Sequence, residues 1–298
     1  MTVFKSSMEQ PARSHVDILS PALSTPESSR SMHARDGPRM LSLGSTGCTF
    51  RLTDYVVVKK VRPGREANMA QEQHVFAILE SHPPSPYIIR RFYRTEEMIF
   101  LEYVSNGDLA SLLRDQQLRD DLSSAHCDIR PGNMLLCDSG RVKLADFDRT
   151  IRIRDDMLSG AEQFARLLGD EGGLDCGTYG KAGCRSEQFA IGSVFYSLTR
   201  GYDPLEDEWW GPDHGPIRMQ KLQKMEFPPV GRLGYDGIIH NCWHDRYQSI
   251  ADLSADIAAL DQTAWEATCE DDFLWIKARI QECETTARSG ILEKLITR

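Results

Sequence analysis

No stretch of this 298-residue chain approaches the roughly 18 consecutive apolar residues that a membrane-spanning helix needs. The first residues have no apolar core of the signal-peptide kind, and their acidic side chains disfavour a transit peptide. Positive charge is also scarce: 35 Lys and Arg face 44 Asp and Glu, a net charge of −9. A general nucleic-acid binder would carry a basic stripe instead, so no nucleic-acid partner is expected. The eight cysteines include no C-x-x-C pair and no tight framework. That fits reduced thiols in a soluble cytoplasmic or nuclear protein better than a secreted disulfide scaffold. His240, Cys242 and His244 are metal-ligating types at close spacing, but no second Cys/His cluster completes four ligands. The remainder, 41% hydrophobic and 27% charged, is ordinary for a globular protein.

Residues 1–39 are rich in Ser and Pro and have no apolar periodicity, which predicts a disordered tail. From Met40 the pattern changes to short strands: LSLGSTGCTFRL with a glycine turn in its middle, then β-branched YVVVKK. Residues 65–80 predict a helix with Val75, Ile78 and Leu79 on one face. IIRRFYR and MIFLEYV read as two further strands. After Asn106-Gly107 the chain turns mostly helical. DLASLLRD (Leu109, Leu112, Leu113) starts a helix, and MLLCD and RVKLAD are strands around Ser139-Gly140. EQFAIGSVFYSL is apolar on nearly all sides, as a buried helix should be. SIADLSADIAAL opens with Ser249 and Asp252 in a capping-box variant, with Ile250, Leu253, Ile257 and Leu260 as its apolar stripe. Trp265, Phe273, Ile276 and Ile280 are packing candidates in one or two last helices.

Residues 126–148, HCDIRPGNMLLCDSGRVKLADFD, carry the strongest chemical signal. The segment resembles the catalytic loop and D-F-G motif of eukaryotic-type protein kinases, here with His126, Asp128, Asn133, Asp146 and Phe147 in the matching order. Such chemistry needs one carboxylate at the acceptor hydroxyl, with a second carboxylate and an amide holding Mg²⁺ against the phosphates. The resemblance therefore implies Asp128 as base, Asn133 and Asp146 as metal ligands, and Arg130 in place of a phosphate-reaching lysine. GSTGCTF (Gly44, Gly47) resembles the glycine-rich loop, with Ser42 where the first glycine belongs. VVVKK resembles V-A-I-K. Strand alternation sets Val57 and Lys59 on one face, making Lys59 the phosphate-binding candidate and Lys60 its alternative. Glu72 matches the helix glutamate that pairs with that lysine. FLEYVSNGDL resembles the hinge, so the backbone of Glu102 and Val104 should face adenine, with Leu101 behind it.

The likeness covers roughly residues 40–262 and extends, through HCDIRP, D-F-D-R and GTYG…EQFA-GS, to divergent kinase-like proteins of filamentous fungi. It implies an α+β, bilobal kinase-like fold. The small β-rich lobe spans residues 40–104 and the larger helical lobe 105–262, followed by a helical extension over 263–298. ATP and Mg²⁺ are the implied cofactors, a protein Ser/Thr hydroxyl the implied acceptor, and neither nucleic acid nor membrane an implied partner. Four departures stand out. Cys127 replaces the arginine beside the catalytic aspartate, leaving Arg149 or Arg152 as basic candidates nearby. Asp148 replaces the glycine of D-F-G. No A-P-E is present: GTYG, with Thr178 expected beside the catalytic aspartate, runs almost directly into the buried helix, where Glu187 takes the position of a customary aspartate. Only residues 109–125 remain for the helices between hinge and catalytic loop. That shortening predicts a bare flank on the helix at 187–198, for which residues 109–125 and the 263–298 tail, with Trp265, Phe273 and Trp275, are the alternative covers.

Overall fold

The computed structural model describes residues 37–104, 107–108, 124–137, 140–260 and 273–293. Most of the expected tail, the shortened stretch up to residue 123, and Trp265 lie outside the described residues. An antiparallel five-stranded sheet comes first in the chain. Its strands are β1 (Arg39–Leu43), β2 (Gly47–Arg51), β3 (Val56–Val61), β4 (Arg91–Arg94) and β5 (Met98–Glu102), in the order β1-β2-β3-β5-β4. Helix α1 (Glu66–Leu79) follows β3. The β-branched run of β3 is buried along its whole length, as a central strand covered on both faces must be. Gly47 is required where β2 passes β3, because a Cβ there would stand 2.7 Å from the Lys60 carbonyl oxygen.

Two small sheets carry the central segment. Strand β6 (Gly107–Asp108) pairs parallel with β9 (Gly140–Leu144), which pairs antiparallel with β8 (Met134–Leu136). Strand β7 (Ser124–Ala125) pairs with β10 (Ile151–Arg152). The helices α2 (Cys184–Arg200), α3 (His214–Gln223), α4 (Gly234–Trp243) and α5 (Ile250–Leu260) follow. In α5 the predicted capping box is present: the Ser249 hydroxyl accepts from the Asp252 N–H, and Asp252 accepts from the Ser249 N–H. Leu253 and Ile257 are fully buried, whereas Leu260, expected in the same stripe, is exposed at the helix end.

Helix α2 shows no bare flank from Ser186 to Tyr196, although Leu198 near its end is 57% exposed. Every residue from Ser186 to Tyr196 is buried, in one core with Ile238, Ile239 and Trp243 of α4 and Leu253 and Ile257 of α5. Gly192 permits the close crossing of α2 and α4, since a Cβ would fall 2.5 Å from that of Cys242. Cys242 is buried here against α2 and packs as a core residue.

The tail covers a different surface from the one expected. Helix α6 (Phe273–Arg288) and the turn after it pack on the face of the five-stranded sheet opposite α1. Cys283 and Leu292 join Phe50, Val56, Val58, Phe92 and Phe100 in a second core, with Trp275 edge-on to Phe92 and Tyr55. Phe273, expected to pack, is 73% exposed. Lys60 also points to this face, where its ammonium donates to the carbonyls of Leu292 and Glu293 at 3.0 and 3.4 Å. Emptying the Leu292 position should cost about 2–4 kcal/mol in Leu292→Ala, while Phe273→Ala should stay within about 0.5 kcal/mol. Urea denaturation of the two variants checks this, and equal midpoints would contradict the packing of the tail.

Candidate functional site

Alternation along β3 decides the outcome for its two lysines. Val57 and Lys59 face a cavity of about 490 Å³, while Lys60 faces the tail. The β1–β2 turn forms one wall through Gly44 and Gly47, and β5 and its continuation another through Glu102 and Val104. Glu72 of α1 and Asp128, Arg130, Asn133 and Asp146 of the central segment complete the lining. The expected nucleotide, metal and base residues therefore meet at one cavity, whereas Thr178 is not among its lining.

Lys59 is its electrostatic centre. The ammonium lies 2.8 Å from Glu72 Oε2, donates to Asp146 Oδ1, and donates to Asp148 Oδ2 at 3.3 Å. Burial pulls the lysine pKa down, yet the charges of Glu72, Asp146 and Asp148 outweigh it and hold the group protonated far above neutrality. Burial pushes Glu72 up to about 7, because one lysine shared among three acids only partly offsets desolvation. Burial would raise Asp146 as well, but Lys59, followed by His126 and Arg130, keeps it below the usual carboxylate range.

The catalytic-loop segment is held by its backbone. The N–H groups of His126 and Cys127 donate to Glu187 Oε2 and Oε1, both at 3.0 Å. Cys127 there adopts a left-handed φ of 62°, a conformation that a side chain rarely takes without such support. Glu187 of α2, at the position of the customary aspartate, thus anchors this segment. The Asn133 amide donates to the Asp128 carbonyl and to Asp128 Oδ2 at 2.8 and 2.7 Å. Arg130 Nε donates to Asp128 Oδ2 at 3.2 Å, and Arg149 lies 3.7 Å from Oδ1. The rings of Phe76, Phe147 and His126 stack edge to face, joining α1 to the segments bearing Asp146 and Asp128.

Asn133 and Asp146 suit a magnesium ion by donor chemistry. The Asn133 nitrogen is engaged with Asp128, leaving its oxygen as a hard donor, and Asp146 carries a second carboxylate oxygen beyond the one that Lys59 holds. Among the described residues, the acidic group able to surround a cation is Glu72, Asp146 and Asp148. The structure does not place Thr178 beside Asp128: the Thr178 hydroxyl donates to the Asp175 carbonyl and accepts from the Gly180 N–H. Two partners escaped the sequence. Lys143 binds both carboxylate oxygens of Glu102 at 2.8 and 2.6 Å, and Thr46 donates to Asp148. A hydroxyl within a glycine turn is a weak signal for Thr46, and Lys143 has none.

Comparison with known proteins finds serine/threonine-protein kinases at low identity. Over 154 residues the chain is 30% identical to a probable serine/threonine-protein kinase of Corynebacterium efficiens, covering 47% of this chain and 23% of the relative. A probable serine/threonine-protein kinase of Corynebacterium glutamicum is 26% identical over 185 residues, 57% of this chain and 28% of the relative. A probable serine/threonine protein kinase of Arabidopsis thaliana is 26% identical over 183 residues, 49% of this chain and 14% of the relative. These matches support a relationship to the protein-kinase superfamily. The chain spans between 14% and 28% of the length of these relatives. No protein-family model matches it. The mixed α+β architecture, with its leading antiparallel sheet and following helices, is consistent with a kinase-like fold. Among the described residues, no helix is long and apolar enough to cross a membrane.

Removing the Glu187 carboxylate would leave two buried N–H groups without acceptors, each worth about 1–3 kcal/mol. Glu187→Ala is therefore expected to lose roughly 2–5 kcal/mol in urea denaturation, and Glu187→Gln, which keeps one acceptor oxygen, less. An unchanged midpoint for Glu187→Ala would contradict this anchoring.

Proposed function

We propose that the chain is an ATP- and Mg²⁺-dependent protein kinase that transfers the terminal phosphoryl group of ATP to Ser/Thr hydroxyls of protein substrates. The observation that carries this reading is the convergence of Lys59, Glu72, Asp128, Asn133 and Asp146 on one cavity. The five-stranded sheet with α1 corresponds to a small lobe over 40–104, the later helices to a large lobe over 105–262, and α6 to an extension over 263–298. Glu102 and Val104 receive adenine along their backbone, with Leu101 behind it and Val57 against the ring. Lys59, oriented by Glu72, meets the phosphates beneath the Gly44–Gly47 turn. Asn133 and Asp146 hold Mg²⁺, which when bound supplies neutralisation of the phosphate charge.

Asp128 takes the proton from the acceptor hydroxyl as its oxygen bonds to phosphorus and the bond to the ADP oxygen breaks. Arg130, beside Asp128, balances charge on the transferred group. Positioning and electrostatic stabilisation provide most of the rate. The finer likeness to fungal kinase-like proteins rests on HCDIRP, D-F-D-R and GTYG…EQFA-GS alone. A nucleotide-binding or scaffolding module without transfer is the second reading, favoured by the Asp148 contacts.

Two measurements test the proposal. Mg·ATP should raise the melting temperature, and EDTA or Asp146→Asn should remove most of that rise; equal shifts with and without metal favour the second reading. Asp128→Asn should cut phosphoryl transfer by about 10²–10⁴-fold while leaving Mg·ATP affinity nearly intact. Wild-type autophosphorylation in that variant would refute Asp128 as the base.

A further inference from the structure

Asp148 stands where the kinase resemblance calls for glycine, and its carboxylate is engaged by two distant parts of the chain. The residue is 6% exposed, in a short turn over Phe147–Arg149. Its Oδ2 accepts the Thr46 hydroxyl at 2.5 Å, across 102 positions of sequence, and the Lys59 ammonium at 3.3 Å. Thr46 belongs to the turn between β1 and β2, Lys59 to the central strand, and all three residues line the same cavity. A hydroxyl from a glycine-bearing turn and a strand ammonium converging on one anionic oxygen form a donor set that suits a phosphoryl group. Glycine could engage neither donor.

We infer that Asp148 is an internal stand-in for a nucleotide phosphate: it holds the donors that the phosphates need and so makes this cleft discriminate against polyphosphate. The inference rests on the nucleotide reading above. A second feature supports it. Glu72, Asp146 and Asp148 place carboxylate oxygens within 4.8 Å of one another around a single ammonium. A phosphate arriving there meets net negative charge, which withdrawal of the Asp148 carboxylate would lessen by one. Its backbone is not free to withdraw. Phe147 is packed between Phe76 and His126, and Arg149 is paired with Asp128. Displacement therefore falls to the Asp148 side chain, which must leave Thr46 and Lys59 together. Adenosine, which carries no phosphate, needs no such displacement.

Isothermal titration of the full chain with adenosine, Mg·ADP and Mg·ATP, in wild type, Asp148→Gly and Asp148→Asn, tests the inference. The asparagine variant preserves shape and an acceptor for Thr46, so it reports on charge even where the glycine variant folds poorly. Both variants are expected to bind Mg·ATP at least about tenfold more tightly than wild type, as removal of a like charge a few ångströms away predicts. Adenosine affinity should stay within about twofold of wild type. A merely structural role would move adenosine and Mg·ATP together, and that parallel shift would overturn the inference. Weaker Mg·ATP binding in both variants would also overturn it and make Asp148 a cation ligand. Equal Mg·ATP affinity in all three chains sinks the Asp148 role and leaves the nucleotide reading standing. Failure of all three chains to bind adenosine or Mg·ATP would remove the nucleotide reading and this inference with it.

Discussion

One buried ammonium faces three carboxylates, and much of the architecture serves to keep it there. Lys59 is placed by the alternation of β3, Glu72 by the packing of α1, and Asp146 and Asp148 by the segment that leaves β9. Four ionisable groups this close, most of them buried, are stable only when their geometry is held from outside. The clamp of Phe147 between Phe76 and His126 does so on one side, and the sheet on the other. The excess of negative charge also gives the cavity a chemical bias. That bias favours cations over anions.

The same strand explains the role of the tail. Because side chains alternate, the residue after Lys59 must point to the opposite face. Lys60 does, and it ends at the carbonyls of Leu292 and Glu293. The strand that sets the ammonium is thus packed on both faces, by α1 and by α6 with its following turn. A parallel economy operates at the catalytic loop. Glu187, rooted in the deeply buried helix α2, accepts two backbone N–H groups and so supports the left-handed Cys127 that turns Asp128 into the cavity. A rigid core element thereby fixes the loop directly, through the main chain, whatever side chain stands at position 127.

Much of the site was legible in the sequence, because its residues are constrained by chemistry at short spacing. His126 to Asp148 occupy one continuous segment, and period-two alternation separated Lys59 from Lys60. The capping box at Ser249 and Asp252 was equally local. What escaped depends on distance or on exposure. The Thr46–Asp148 bond joins residues 102 positions apart, and the Lys143–Glu102 pair joins two strands that no pattern relates. In the tail, hydrophobicity was a partial guide: Ile280 and Trp275 pack against the second core as expected, but Phe273 lies exposed, while Cys283 and Leu292, which were not singled out, are buried. The expected bare flank of α2 failed for a related reason. Counting helices missing before the catalytic loop takes no account of how closely α4 approaches at Gly192.

A crystal structure of the full chain with Mg²⁺ and a non-hydrolysable ATP analogue tests the central claim most directly. The account predicts adenine along the backbone of Glu102 and Val104, the metal on Asn133 and Asp146, and the Asp148 carboxylate released from both Thr46 and Lys59. A nucleotide bound elsewhere on the surface, or a cavity left without one at saturating analogue and Mg²⁺, would contradict it.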